Sequence, residues 1–140
     1  MSVTVALDSS VVIPLVVATH SAHGLVTRWW RAWPADELAL AGHAAVETFS
    51  VLTRLPGDLS LSPNDAARLL RVRLAPPLTL GSKTQRRLVD TFAERGIVGG
   101  AVYDGLVGLV ALEHGVPLAT RDLRARDTYE RLGVSVLVVA

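Results

Sequence analysis

The chain contains no cysteine. Disulfides and thiolate metal sites are therefore excluded, and a reducing compartment fits. Net charge is almost absent too, at +1 for the whole chain. A partner that is a polyanion would have to be met by a local basic patch, because the molecule as a whole exerts no attractive field. Aromatics make up only 5% of the residues, so Val, Leu and Ala must fill most of the core. The longest apolar run near the N-terminus, Val11 to Ala18, contains Pro14 and falls far short of the ~20 residues that span a bilayer. Met1-Ser2-Val3-Thr4 lacks the basic start of a signal peptide. A soluble, cytoplasmic protein without a membrane association is expected. No GxGxxG follows Val3 to Leu7, which disfavours a dinucleotide site, and no Asp-x-Asp follows it either, which disfavours a strand-Asp phosphatase. His20, His23, His43 and His114 are scattered without metal-ligand spacing, and none is given a catalytic role.

What is present is apolar and finely punctuated. With 140 residues, 50% hydrophobic and 19% charged, the chain suits a single domain over residues 1–140 with one core. Val3 to Leu7 reads as a buried strand, followed by Asp8-Ser9-Ser10 as helix-capping side chains and a helix over Val11 to Val17, in which Pro14 is tolerable only near the first turn. A helix from about Ser21 to Trp33 carries Val26, Trp29, Trp30 and Trp33 on one face. Tryptophans so spaced point to packing, within the domain or against a partner, more than to base stacking.

Glu37 to Ala41 reads as a small strand and Gly42 to Leu55 as a helix. Ser62-Pro63 starts another helix, running to Leu74. Leu78 to Leu80 is a candidate strand, and Ser82 to Arg95 a helix with Leu88, Val89 and Phe92 inward. Pro117 to Thr120 is the next strand, Asp122 to Leu132 the last helix, and Val134 to Val139 a closing strand. Strands alternating with helices on short connections predict a mostly parallel α/β sheet with helices on both faces.

Four acids stand out against this background. Asp8 and Asp122 each follow a short apolar strand, where side chains meet the crevice at the carboxyl ends of parallel strands. Capping of the following helix is the competing explanation for both. Asp104 opens an apolar helix, Ala101 to His114, whose stripe of Tyr103, Leu106, Val107, Val110 and Ala111 marks a core-facing side. Gly105 and Gly108 each lower helix propensity by about 1 kcal/mol relative to Ala, which close backbone packing would justify. An unpaired carboxylate in such a helix calls for a cation or a partner; the competing explanation is an acid favoured at a helix start by the macrodipole. Glu47, within the third helix, is a weak signal by itself. Together, carboxylates without Cys or a His pair favour Mg²⁺ or Mn²⁺ over zinc. Arg121 and Arg124 flank Asp122 and are candidate phosphate contacts. Lys83, Arg86 and Arg87, like Arg68, Arg71 and Arg73, read as solvated helix faces.

The order strand–Asp8-Ser9-Ser10, helical Glu47, Tyr103-Asp104-Gly105-Leu106-Val107 and Leu118-Ala119-Thr120-Arg121-Asp122 resembles that of PIN-domain nucleases. It is most similar to the VapC toxins of bacterial toxin–antitoxin pairs, a likeness strengthened by Arg124 to Tyr129 and Leu132-Gly133-Val134. The resemblance implies a PIN-like three-layer α/β/α fold with a short-stranded sheet. It implies a metal-dependent endoribonuclease cutting single-stranded regions of tRNA or rRNA, a homodimer, and a VapB-type antitoxin whose C-terminal segment fills the active-site groove. Asp8, Glu47, Asp104 and Asp122 match its metal-binding acids. Thr120 matches a hydroxyl residue that orients a carboxylate or water, a role Ser9 could share beside Asp8. A PIN-like module without turnover, binding RNA or protein, is the alternative; Asp127 reads as an exposed helix residue outside the site.

Overall fold

A computed structural model describes residues 2–140. Four three-residue strands, β1 (Val5–Leu7), β2 (Leu38–Leu40), β3 (Leu118–Thr120) and β4 (Val136–Val138), form a sheet in the order β2-β1-β3-β4, parallel at every pairing. Every residue of β1, β2 and β3 is buried, as a parallel sheet covered on both faces requires. Helices α1 (Ser9–Val16) and α2 (His23–Arg31) join β1 to β2. Helices α3 (His43–Thr53), α4 (Pro63–Arg73), α5 (Ser82–Arg86), α6 (Leu88–Arg95) and α7 (Ala101–His114) separate β2 from β3, and α8 (Leu123–Arg131) leads to β4. The architecture is the expected three-layer α/β/α. No helix among the described residues is long and apolar enough to cross a membrane.

Strand order decides where a site can form. From β1 the chain moves outward to β2 on one side, and later returns to lay β3 on the other. The two crossovers diverge, leaving a crevice at the carboxyl ends of β1 and β3. Asp8 follows β1 directly and Asp122 lies just beyond β3. Fully buried Leu7, Leu15, Leu38, Leu118, Val12 and Val110 anchor this arrangement, each worth about 1.5–3 kcal/mol of transfer free energy.

The glycines of α7 are explained by close packing. A methyl group on Gly105 would sit 2.6 Å from the Phe92 ring, and one on Gly108 would meet Tyr129 at 3.1 Å and Leu132 at 3.2 Å. Their absence lets α6 and α8 press against α7 and brings Asp104 toward the crevice.

Several local expectations need correction. Leu78 to Leu80 forms no strand: one bridge, Ala41 to Leu78, is all that develops, because Pro76-Pro77 offers no N–H to a ladder. The helix expected over Ser82 to Arg95 is two, broken at Arg87 (φ −94°, ψ 4°). Glu113 fixes the first through Gly81 N–H and Thr84, while buried Phe92 fixes the second. Val89 is 80% exposed, since the inward stripe of α6 is Leu88 and Phe92, four apart, and Val89 lies a further 100° round. Tyr103, expected inside, is 58% exposed. Pro14 sits in the second turn of α1, past the position expected to tolerate it. The tryptophans pack as expected: Trp29, Trp30 and Trp33 are half-buried against the core, and the Arg73 guanidinium lies 5.1 Å from the Trp30 ring centre.

Candidate active site

Asp8, Glu47, Asp104 and Asp122 line one polar cleft of about 180 Å³ at the crevice, with Ser9, Ser10, Tyr103, Arg124 and Tyr129. A larger cavity of about 580 Å³ lies between α3 and α4, but Leu40, Val46, Phe49, Leu70 and Leu74 line it and no acid reaches it. Convergent polar groups identify the smaller cleft as the chemical one.

The two strand-end acids do cap helices, and capping uses only half of each. Asp8 Oδ1 accepts from Ser10 N–H at 3.0 Å and from the Ser10 hydroxyl at 2.5 Å. Asp122 Oδ1 accepts from Arg124 N–H at 2.9 Å and Ala125 N–H at 3.2 Å. In each case Oδ2 is left for other work. Asp8 Oδ2 accepts from the buried Tyr129 hydroxyl at 2.9 Å, filling three of the carboxylate's roughly four acceptor positions. Asp122 Oδ2 faces Arg124 at 3.5 Å across an 85% exposed side chain, a contact of little energetic weight.

A chain of hydroxyls ties β1 to β3. The Ser10 proton is given to Asp8, so in its 3.3 Å contact with Thr120 the Ser10 oxygen accepts. That oxygen also accepts from Arg121 N–H at 2.7 Å, and Thr120 Oγ1 accepts from Asp122 N–H at 3.0 Å. Asp122 N–H, Thr120, Ser10 and Asp8 thus form one polarised run, with Tyr129 donating from the far side. Thr120 is buried beside the acids and linked to both Asp8 and Asp122 through this run. Ser9 does not serve Asp8; its hydroxyl donates to Glu47 Oε1, and Ser10 takes the role at Asp8. This bond brings the exposed Glu47 of α3 to the start of α1. Ser10 and Tyr129 are the site residues that sequence reasoning missed. Their only signals were the hydroxyl next to Ser9 and the inward stripe Ala125, Thr128, Tyr129, Leu132 of an otherwise charged helix.

The electrostatics are those of crowded acids. Burial pushes the Asp8 carboxyl above its ordinary value, against the lowering pull of Ser10, Thr120 and Tyr129. Asp104, half-buried, is raised first by burial; Arg124 lowers it, and Asp122, Asp8 and Glu47 raise it as like charges. Among the described residues, no hydrogen bond counters these influences on Asp104. Burial and the Asp8 charge keep the Tyr129 hydroxyl protonated and donating.

The donor set is all hard oxygen, with Arg124 the one cation lining the cleft among the described residues, and it suits Mg²⁺ or Mn²⁺. Among the described residues, no three acid or histidine side chains converge closely enough to ligate one ion together. The acids surround the cleft instead of meeting at a point. That spacing suits Mg²⁺, which keeps several waters and is held directly by one or two carboxylates. Of the arginines, Arg124 lines the cleft. Arg121 does not line the cleft and donates to Val139 O at 2.8 Å, just past the end of β4. Asp127 pairs with Arg131 at 3.3 Å on the exposed side of α8.

The fold and the cleft together define a PIN domain: the PIN domain family profile matches residues 5–131, and the chain belongs to that family. It is 56% identical to Ribonuclease VapC27 of Mycobacterium tuberculosis (strain ATCC 25618 / H37Rv) over 140 residues, covering 100% of both chains. Identity to Ribonuclease VapC40 of M. tuberculosis (strain CDC 1551 / Oshkosh) is 41% over 136 residues, 96% of this chain and 98% of that one. Among solved structures, M. tuberculosis VapC20, described as a sarcin–ricin loop cleaving toxin, superposes with TM-score 0.67 and 17% identity over 89% of this chain and 94% of its own. VapBC-1 from nontypeable Haemophilus influenzae matches with TM-score 0.64 and 15% identity over 99% and 98%.

Proposed function

We propose that this protein is the toxin component of a type II toxin–antitoxin pair and acts as a Mg²⁺- or Mn²⁺-dependent endoribonuclease in the cytoplasm. The observation that carries the reading is the meeting of four carboxylates from distant parts of the chain, Asp8, Glu47, Asp104 and Asp122, in one cleft at the sheet's switch point. Full-length likeness to two proteins named as VapC ribonucleases supports the RNA substrate. The fold shared with VapBC-1 supports a VapB-type antitoxin as partner. Single-stranded regions of tRNA or rRNA are the proposed targets, and a homodimer the proposed assembly.

One or two of Asp8, Asp104 and Asp122 would hold the cation directly, and the remaining acids, Glu47 among them, would hold it through its waters. Bound there, a divalent cation supplies charge that acidifies a water and offsets the charge growing on the leaving oxygen. Ser10, Thr120 and Tyr129 fix the Asp8 carboxylate in the cleft wall and leave about one of its acceptor positions unfilled. Arg124, at the rim, meets the phosphate as a point of positive charge. Water attacks phosphorus in line, the P–O3′ bond breaks, and the products carry a 5′-phosphate and a 3′-hydroxyl; the 2′-hydroxyl is not the nucleophile.

The test is cleavage of an end-labelled single-stranded RNA with Mg²⁺ or Mn²⁺ and with EDTA. Wild type should cut only with the cation, and Asp104→Asn should lose on the order of 100-fold or more in rate, the scale of a lost electrostatic stabiliser. Undiminished cleavage by Asp104→Asn would remove Asp104 from the site.

A further inference from the structure

An exposed aromatic stands at the edge of the acid cleft, and nothing in the chemistry above uses it. Tyr103 precedes Asp104 on α7, lines the cleft, and is 58% exposed. One face of its ring is backed by His43 from the first turn of α3, with ring centres 5.6 Å apart and planes inclined by 28°. A lone exposed tyrosine on a helix would need no explanation. This one is held by an aromatic from a second element, beside the cleft proposed to receive a phosphate. Its ring is therefore oriented before any ligand arrives, which reduces the ordering cost of binding.

We propose that Tyr103, propped by His43, is a stacking platform for an unpaired nucleobase of the RNA next to the scissile phosphate. The inference rests on the ribonuclease reading of the cleft and adds a base-binding position to it. Nucleobases present a flat π face, and stacking on an aromatic tolerates any sequence while requiring that the base be unpaired. A duplex keeps its bases inside the stack and cannot offer one. The platform therefore supplies a physical reason for acting on single strands: phosphate in the cleft and base on Tyr103 can be satisfied together only by a splayed nucleotide. Tyr103 is a positioning residue here, since it touches the base and not the reacting atoms.

The test combines variants with an abasic walk along a single-stranded RNA whose cut site has been mapped. Tyr103→Ala should lower kcat/KM about tenfold, in keeping with the loss of one base–aromatic stack, with thermal unfolding unchanged. Tyr103→Phe and Tyr103→Trp should restore the rate, and Tyr103→Leu, apolar but not aromatic, should not. Removing the base beside the cut should slow wild type to the level of Tyr103→Ala and leave Tyr103→Ala itself unaffected. The proposal is overturned if Tyr103→Ala cuts at the wild-type rate, if Leu rescues as well as Phe, or if every abasic substitution slows wild type and Tyr103→Ala alike. In those outcomes the ribonuclease reading still stands, provided Asp104→Asn is inactive. An absence of cation-dependent cutting by wild type would remove both readings.

Discussion

The two halves of the cleft are built on opposite principles. The strand-end half, Asp8 and Asp122, is locked: backbone N–H groups cap onto each Oδ1, and Ser10, Thr120 and Tyr129 link the acids into one network. The helix half, Asp104 and Glu47, is loose. Asp104 is shifted by burial and neighbouring charge alone, and Glu47 is an exposed side chain steadied by Ser9. A polar network that is fully satisfied specifies a geometry; a crowded, under-bonded carboxylate stores repulsion that a cation can relieve. Position comes from the first half and affinity for positive charge from the second.

Breaking the lock is the sharpest way to test that contrast. Thr120→Val keeps the shape of a fully buried side chain but strands Asp122 N–H and removes a donor from Ser10. A loss of about 10–100-fold in cleavage is expected, as for other residues that orient metal-binding carboxylates, with a stability cost of about 1–3 kcal/mol by denaturant unfolding. Losses confined to stability would show that the network supports the fold and not the site.

One acid from each half is raised, and pH tests the loose one, Asp104. Asp8 and Asp104 have folded values above their ordinary 3.8, so the folded protein binds protons more readily than the unfolded chain. Stability of the cation-free protein should therefore rise as pH falls from neutral through those raised values, and the gain is complete below 3.8. Glu113 is lowered from 4.5 by Thr84 and Gly81 and works in the opposite sense only below that value. Between pH 7 and 4.5 the Asp104→Asn variant should show a shallower slope than wild type in EDTA, measured by urea unfolding. Equal slopes would mean that Asp104 is not strained.

The smallest effect belongs to Ser9. Ser9→Ala frees Glu47, a group that is exposed whether held or not, so stability should change by less than about 0.5 kcal/mol. Cleavage should fall only a few-fold. A loss as deep as that of Thr120→Val would make Glu47 an equal member of the locked half.

The same contrast explains what could be read from the chain. Strands Val5–Leu7 and Leu118–Thr120, short and apolar but for Thr120, announced a buried parallel sheet, and acids at their ends announced its crevice. Asp104 was legible because Gly105 and Gly108 make little sense in a helix except as contact surfaces. Ser10 and Tyr129 were not, since a buried hydroxyl is chosen by a partner up to 121 residues away, and no local pattern encodes that. Arg121 misled for the same reason: adjacency to Asp122 placed it near the acids in sequence, while Val139 O claimed its guanidinium in space. The break at Arg87 and the outward turn of Val89 and Tyr103 were also tertiary decisions, taken by where Phe92, Glu113 and His43 dock.

That the cleft holds a divalent cation is tested most directly by thermal unfolding at neutral pH as Mg²⁺ or Mn²⁺ is titrated into wild type and Asp104→Asn. Wild type should be stabilised progressively, by about 2.7 kcal/mol when the ion reaches 100 times its dissociation constant, and Asp104→Asn should respond much less. Unfolding curves indifferent to the cation, or a variant that responds as wild type does, would contradict the account.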